Sequence, residues 1–219
     1  MGKRINIIGA GIAGLSAGIY ARLNGFESHI YEASHTAGGV CANWERSGFN
    51  INGSIHWLLG SSPDSDFYDL WYELGVIEDT TFHNHSRFTV LENLEGTNLH
   101  FYVNAEKMKK HFLEISPEDD KLINEFYEAI LTCAEYQFPM DRPFELLNLY
   151  DWSRIFFNNF PMMMLFGKYS KMSVEEFGNQ FKSPVLKKAF ASIWASKMSM
   201  TFFLIQLSYA HNGSAAYII

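Results

Sequence analysis

Three closely spaced glycines near the N terminus, set between two strand-like runs, constrain the fold of this chain more than any other feature. The glycines are Gly9, Gly11 and Gly14. An apolar run over residues 5–8 precedes them, and a helix-compatible run continues to Leu23. Residues 28–31 form a second strand-like run, which ends in Glu32. A strand, a glycine-rich turn, a helix and a second strand within about 30 residues are typical of a βαβ unit.

Each glycine of this turn has its own physical role. Gly9 permits a tight turn, Gly11 lets a pyrophosphate approach the backbone, and Gly14 lets the helix pack closely on the strand. The N terminus of the helix favours an anion, because its N–H groups are unpaired and its dipole is positive there. Glu32 stands about 20 residues further on, where a carboxylate accepts hydrogen bonds from ribose hydroxyls and repels a 2′-phosphate. The pattern therefore predicts a dinucleotide site that disfavours NADP.

A secretory signal peptide is the alternative interpretation of the same residues. Lys3 and Arg4 precede an apolar, alanine-containing stretch, as they would in such a peptide. That interpretation leaves the glycine spacing and Glu32 unexplained, so we favour the βαβ unit.

A glycine doublet follows the acidic strand end and indicates which dinucleotide is bound. Residues 32–40 read Glu-Ala-Ser-His-Thr-Ala-Gly-Gly-Val. This stretch resembles the FAD-dependent oxidoreductases with a two-dinucleotide-binding motif. The resemblance implies that the backbone of Gly38 and Gly39 comes close to the flavin nucleotide, which only residues without side chains allow. Val40 departs from the family pattern, in which arginine is common, so no charged contact is expected there.

The resemblance continues through residues 47–58, which are similar to the stretch leading toward the isoalloxazine ring in phytoene desaturase-like (carotenoid or retinoid oxidoreductase-like) proteins. Asn52 stands where many of those proteins have aspartate, so an acidic contact is not carried over. The motifs together cover about the first 60 residues. They imply FAD as the cofactor, and the predicted cofactor-binding residues are Gly9, Ala10, Gly11, Ile12, Ala13, Gly14, Glu32, Ala33, Gly38 and Gly39.

His56 is the one titratable side chain in the flavin-leading stretch, and it is a weak catalytic candidate. It could handle a proton during the reaction. A histidine hydrogen-bonded locally beside Trp57 is the favoured alternative. The flavin itself supplies hydride chemistry, so no nucleophile is required.

The resemblance also implies a domain organisation. The expected fold class is α/β: a Rossmann-like FAD/NAD(P)-binding βαβ unit with an inserted, mostly helical α+β substrate-side region. We expect residues 1–60 to be the N-terminal part of the FAD domain and residues 61–219 to be the inserted region. The family is usually about twice as long as these 219 residues, so we expect a truncated chain that lacks the rest of the FAD domain.

Local patterns predict the elements of the inserted region. Extended runs at residues 88–91 and 99–103, separated by Glu95 and Gly96, indicate a hairpin. Apolar residues at helical spacing over residues 67–74 indicate a short helix. Further helices are expected to start near Ser116, Ser173 and Ser183, since capping residues precede apolar periodicity there.

Charge and metal-ligand patterns narrow the partners. A net charge of −7 argues against nucleic acid. The basic residues near position 110 indicate a solvated helix face; they are Lys107, Lys109, Lys110 and His111. Two cysteines, Cys41 and Cys133, fit a reducing cytoplasm and have no metal-ligand spacing. The pair His83 and His85 indicates a surface loop, and no metal site is expected.

Two segments are unusually apolar, at residues 155–166 and 198–207. Neither reaches the ~20 residues that a spanning helix needs. Ordinary core packing is the favoured interpretation. The alternative is an adaptable pocket or a membrane-facing entrance for a long apolar substrate, with peripheral membrane attachment.

The leading functional hypothesis is therefore an FAD-dependent oxidoreductase that transfers a hydride between flavin and a C–C bond of an apolar, isoprenoid- or polyene-like substrate. A flavin amine oxidase shares the early motifs and is one alternative. A non-catalytic binding protein resembling Rab GDP-dissociation inhibitors is another, although the intact glycine set and Glu32 argue against it.

Overall fold

The computed structural model of the chain describes residues 3–55, 57–136 and 144–218. The strands are β1 (Arg4–Ile8), β2 (Glu27–Tyr31), β3 (Asn43–Arg46), β4 (Phe49–Asn52), β5 (Leu58–Leu59), β6 (Phe82–His83), β7 (Arg87–Leu94), β8 (Thr97–Tyr102) and β9 (Ala215–Ile218). The helices are α1 (Ile12–Leu23), α2 (Tyr68–Glu73), α3 (Ala105–Ile115), α4 (Asp120–Ala134), α5 (Leu149–Asn158), α6 (Phe160–Tyr169), α7 (Val174–Gly178), α8 (Pro184–Ser192) and α9 (Met200–His211).

The chain divides into two compact units. The first comprises the described residues of Met1–Leu58 and Leu70–Thr80, and the second those of Leu59–Asp69 and Thr81–Ile219. The expected boundary at residue 60 concerns the FAD domain of a whole protein, and it stays a prediction.

The first unit is built on the predicted βαβ unit, which is confirmed. Strands β1 and β2 pair in parallel, with Ile7 opposite Ile30, and α1 connects them. Gly18 lets α1 lie close to this sheet, because a Cβ atom there would come within 2.9 Å of Ile30 Cδ1. A hairpin of β3 and β4 follows, and its turn residues Ser47 and Gly48 both have positive φ, as a two-residue hairpin turn requires.

The second unit begins with strands and continues with helices. The predicted hairpin is confirmed as β7 and β8, and Glu95 and Gly96 in its turn both have positive φ. Strand β9 pairs antiparallel with β6. The predicted helix starts are confirmed at Ser173, which forms a capping box for α7, and at Ser183, whose side chain caps α8. A short 3-10 turn follows Ser116 and leads into α4.

Phenylalanine rings form the core of the second unit. Fully buried rings are contributed by the hairpin and by five different helices: Phe101, Phe112, Phe126, Phe177, Phe190 and Phe203. Phe190 lies within 6.5 Å of the other five rings, measured between ring centroids. The apolar segment at residues 198–207 contributes Met200, Phe203, Leu204 and Leu207 to this core. The core interpretation is therefore confirmed for that segment.

The other apolar segment, residues 155–166, departs from expectation. Met162 is buried, and Leu165 and Phe166 pack against the core. The core interpretation is nevertheless wrong for the outward-facing residues of α5 and α6, because the following are exposed: Phe156, Phe157, Phe160, Met163 and Met164. No helix in the described part of the chain combines the length and apolar character needed to cross a bilayer.

A buried carboxylate joins the start of α4 to the start of α8. Asp119 accepts hydrogen bonds from the backbone N–H groups of Lys182 (2.7 Å) and Ser183 (2.9 Å) and from the hydroxyl of Ser116 (2.7 Å). Burial by itself would raise the pKa of Asp119, but these three donors outweigh it and hold the pKa below its ordinary value. The ionised carboxylate therefore fixes one helix start against another.

Candidate functional site

The site begins where β1 turns into α1. Gly9 has a φ of +96°, in the left-handed region where a side chain is strained. Its N–H donates to the carbonyl of Tyr31 at the end of β2, 2.7 Å away. Gly9 therefore serves the tight turn that the sequence predicts for it.

Gly14 is required by packing within the protein. A Cβ atom at this position would lie 1.9 Å from the carbonyl oxygen of Gly9 and 3.4 Å from Ile7 Cγ2. No rearrangement of a flexible side chain could relieve the first contact, since the atom belongs to the backbone. The predicted role of Gly14, close packing of helix on strand, is confirmed.

Gly11 is different, because nothing in the described protein requires a glycine there. Its φ of −74° and ψ of 177° suit any residue, and a Cβ atom would meet no atom within 4 Å. Gly11 is also the N-cap of α1, where no side chain caps the helix and no acidic residue lies in the first turn. The first N–H groups of a helix have no partner within it. The space in front of Gly11 is thus open and lined by hydrogen-bond donors that suit an anion.

The glycine doublet forms a second wall beside this opening. The N–H of Gly38 donates to the carbonyl of Ala10 at 2.7 Å, and Gly38 pairs with Gly11 in an isolated parallel bridge. Both Gly38 and Gly39 have positive φ. A Cβ atom on Gly39 would come within 3.2 Å of the Gly11 Cα atom. The doublet therefore allows two backbone segments to meet, whereas Val40 beside it is exposed.

Glu32 directly follows β2 and contacts the β1–α1 turn and the loop after β2. One carboxylate oxygen accepts from the N–H of Ser34 at 2.8 Å, and the other accepts from the N–H of Ala10 at 2.7 Å. These bonds, the one from Ser34 foremost, hold the pKa of Glu32 below its ordinary value. Each carboxylate oxygen has a second lone pair, so the ionised group can still accept from another donor. The contact with Ala10 lies outside the sequence prediction, which assigned Glu32 to ribose alone.

The flavin-leading stretch is described except for His56. Asn52 Oδ1 accepts from the N–H groups of Ser54 (3.1 Å) and Ile55 (2.9 Å), which forms a local turn without a charged group. Gly53 makes room for an indole, since a Cβ atom there would lie 2.8 Å from the Trp44 ring. His56, the weak catalytic candidate, lies outside the described residues, and its role stays a prediction.

The predicted cofactor-binding residues therefore fall into one place: the β1–α1 turn, the end of β2 and the doublet that follows it. That these residues bind a cofactor stays a prediction, and the geometry suits it. No group of three potential metal ligands occurs in the described part of the chain. His83 and His85 are exposed, and the His85 ring packs edge-on against Tyr217 at 4.3 Å.

Comparisons with known proteins agree with this geometry. Residues 7–74 match the family described as an NAD(P)-binding Rossmann-like domain. Hydroxysqualene dehydroxylase of Sinorhizobium fredii (strain NBRC 101917 / NGR234) is 45% identical over 51 residues, which are 23% of this chain and 12% of that protein. A Danio rerio protein named inactive all-trans-retinol 13,14-reductase is 26% identical over 136 residues, covering 59% of this chain and 22% of that protein.

Among solved structures, wild-type putrescine oxidase bound to putrescine has a TM-score of 0.53 and 18% identity. The alignment covers 100% of this chain and 46% of the putrescine oxidase chain. Because the sequence identity is low, this similarity shows a shared fold and nothing about activity. This chain thus spans less than a quarter of the two curated relatives above and about half of that structure. The predicted α/β Rossmann-like class is confirmed. The two curated relatives are named as a dehydroxylase and an inactive reductase.

Proposed function

We propose that the first unit of this chain binds the adenosine diphosphate part of FAD. This unit carries a Rossmann-like domain, which is the kind of domain that binds the dinucleotide in FAD-dependent oxidoreductases. The observation that carries the proposal is the open space at Gly11. Neither backbone angles nor neighbouring atoms exclude a larger residue there. A ligand that fills the space explains the glycine, and the uncapped N terminus of α1 makes that ligand an anion such as a pyrophosphate.

Glu32 complements this anion site with an acceptor for the ribose. Its two backbone hydrogen bonds fix the carboxylate and keep it ionised, while its remaining lone pairs can accept from hydroxyl groups. The same negative charge would repel a 2′-phosphate, which favours FAD or NAD over NADP. Gly38 and Gly39 keep the adjoining wall free of side chains. We propose FAD rather than NAD because the Gly38–Gly39 doublet and residues 47–58 resemble the corresponding stretches of flavoproteins.

We propose that the whole protein is an oxidoreductase acting on a C–C bond of an apolar, isoprenoid- or polyene-like substrate. FAD, when bound, supplies the hydride chemistry. Two relatives support the substrate class, since one is named for hydroxysqualene and the other for retinol. The name of the Danio rerio relative also says that it is inactive. The activity of the present protein must therefore be measured and cannot be inferred from similarity.

The direct test is a visible absorption spectrum of the purified full-length protein, followed by anaerobic mixing with candidate substrates. We expect bound, oxidised flavin, and a change in its redox state with apolar polyenes or their reduced forms. If putrescine or another amine bleaches the flavin absorbance and polyenes do not, the result would instead favour the amine oxidase alternative. A purified protein without flavin that gains none on addition of FAD would favour a binding protein and contradict the proposal.

The compartment is a further part of the proposal. Cys41 and Cys133 are free thiols in the structure, and the buried position of Cys133 raises its pKa to about 12. Free cysteines fit a reducing compartment, so we propose the cytoplasm. A diagonal gel of freshly isolated protein should show no disulfide.

A further inference from the structure

Three asparagines of this chain are followed directly by glycine: Asn24, Asn52 and Asn212. An asparagine before a glycine is prone to deamidation, because the glycine nitrogen can approach the asparagine side chain without hindrance from a Cβ atom. All three asparagines are exposed, so access to solvent does not distinguish them. The way in which each amide is held then decides which of them reacts.

Deamidation joins two atoms of neighbouring residues. The glycine nitrogen loses its proton to hydroxide and attacks the side-chain carbon Cγ of the asparagine. The C–N bond of the side-chain amide breaks, ammonia leaves, and a succinimide remains. Water then opens the succinimide: attack at Cγ gives aspartate, and attack at the main-chain carbonyl carbon gives isoaspartate. No oxidant or reductant takes part.

Asn24 is held away from this reaction at the end of α1. Its side-chain nitrogen, the leaving group, donates to the carbonyl of Tyr20 at 2.8 Å. The N–H of Gly25, the nucleophile, donates to the carbonyl of Arg22 at 3.0 Å. Both hydrogen bonds must break before the ring can close.

Asn212 is held in the same way at the end of α9. Its side-chain nitrogen donates to the carbonyl of Ala134 at 2.9 Å. The N–H of Gly213 donates to the carbonyl of Ala210 at 3.0 Å. The fold therefore engages the leaving group and the nucleophile at this site as well.

Asn52, the last residue of β4, is held by its oxygen. The Oδ1 atom accepts from the N–H groups of Ser54 (3.1 Å) and Ile55 (2.9 Å). Reaching these two donors folds the side chain over the peptide bond to Gly53, whose nitrogen is the nucleophile. The same donors polarise the Cγ–Oδ1 bond and stabilise the oxyanion that forms during attack. The Gly53 N–H has no hydrogen-bond acceptor among the described residues.

We propose that Asn52 is a modification site, at which the native protein deamidates while its other two Asn-Gly pairs are protected by the fold. The product adds a negative charge to residues 47–58. An aspartate keeps the local turn, because its carboxylate accepts from the same two N–H groups. Isoaspartate instead inserts an extra carbon into the main chain and disrupts the turn. This inference does not depend on FAD binding.

Asn52 and Asn212 form a matched pair for the test, because both begin the tripeptide Asn-Gly-Ser. The full-length protein is incubated in native buffer and, separately, in denaturant, and each asparagine is followed by proteolytic digestion and mass spectrometry. In denaturant the two sites should react at similar rates, since their local sequence is the same. In native buffer Asn52 should react at least about tenfold faster, because two hydrogen bonds at Asn212 must break first.

Two variants check the assignment to Asn52. Asn52→Gln should remove the acidic species that isoelectric focusing detects in aged protein, because the longer side chain must close a larger ring. Asn52→Asp carries the product charge from the start, so it should focus with the aged wild-type protein and keep the wild-type melting temperature. The rate of modification at Asn52 should rise with pH, since the attacking nitrogen must lose a proton.

Three results would overturn the proposal. Equal rates at Asn52 and Asn212 in native buffer would show that the fold does not select the site. An Asn52 that stays intact in native buffer but reacts in denaturant would show that the turn protects it. An acidic species that persists in Asn52→Gln would assign the modification to another residue.

Discussion

The carboxylate of Glu32 accepts a hydrogen bond from the backbone N–H of Ala10, and this contact ties the end of β2 to the glycine turn after β1. The two residues are 22 positions apart in the chain. The bond holds the carboxylate that we propose as the ribose acceptor in fixed relation to the opening at Gly11. The proposed site is therefore ordered without a ligand, which would reduce the entropic cost of binding one.

Replacing Glu32 with alanine should weaken FAD binding by at least about tenfold, because the variant loses a charge-assisted acceptor and the tie to Ala10. Titration calorimetry or flavin fluorescence of the full-length protein measures the effect. Glu27→Ala is the matched control, since Glu27 is an exposed carboxylate on the same strand that pairs with Arg4 at the surface. Equal FAD affinity in wild type and Glu32→Ala would contradict the assignment of Glu32.

Gly14→Ala should destabilise the first unit by about 1–3 kcal/mol, as expected when a methyl group is forced into a filled space. The new Cβ atom would lie 1.9 Å from the carbonyl oxygen of Gly9. Gly18→Ala on the same helix is the control, because its nearest neighbour is the flexible end of Ile30 at 2.9 Å. Chemical denaturation followed by fluorescence should show a clearly larger loss for Gly14→Ala. Equal losses would mean that the close approach at Gly14 is not rigid.

The sequence was sufficient to predict the elements whose signals are local. The βαβ unit follows from glycine spacing, the β7–β8 hairpin from Glu95 and Gly96, and the starts of α7 and α8 from their capping serines. Each of these depends on residues within a few positions of one another. The predicted site residues lie together for a similar reason. In a βαβ unit the two parallel strands end at the same edge of the sheet, so the turn after the first strand lies beside the end of the second.

Contacts between distant residues could not be predicted in this way. The bonds from Lys182 and Ser183 to Asp119 span more than 60 positions, and nothing in the sequence near Asp119 indicates them. The face of α6 was misassigned because both of its sides are apolar, so periodicity could not separate Met162 from Met164. Burial there is decided by which side meets the phenylalanine core.

Asp119→Asn should destabilise the second unit at neutral pH by about 1–3 kcal/mol, since the amide offers only one acceptor oxygen to three donors. The folded-state pKa lies below the ordinary value of 3.8, so the stabilisation by ionised Asp119 is complete above pH 3.8. It is lost as the pH falls through the folded-state pKa. Denaturation at a series of pH values should therefore show the difference between wild type and variant shrinking on acidification.

Glu118→Gln provides the control for that series, because Glu118 is an exposed neighbour of Asp119. Its stability should match that of the wild-type protein across the same pH range. A difference between wild type and Asp119→Asn that stays constant down to low pH would show that the charge of Asp119 is not what joins the two helix starts.

FAD affinity of Gly11→Ala, measured together with its melting temperature, tests the central claim most directly. The structure has open space for the added methyl group, so we expect the melting temperature to be unchanged and FAD affinity to fall at least about tenfold, because the methyl group takes the place of the pyrophosphate. Gly167 also has open space around it and provides the control. Gly167→Ala should change the melting temperature only slightly and leave FAD affinity unchanged. Wild-type FAD affinity in Gly11→Ala, with the fold intact, would show that the dinucleotide does not bind at this turn.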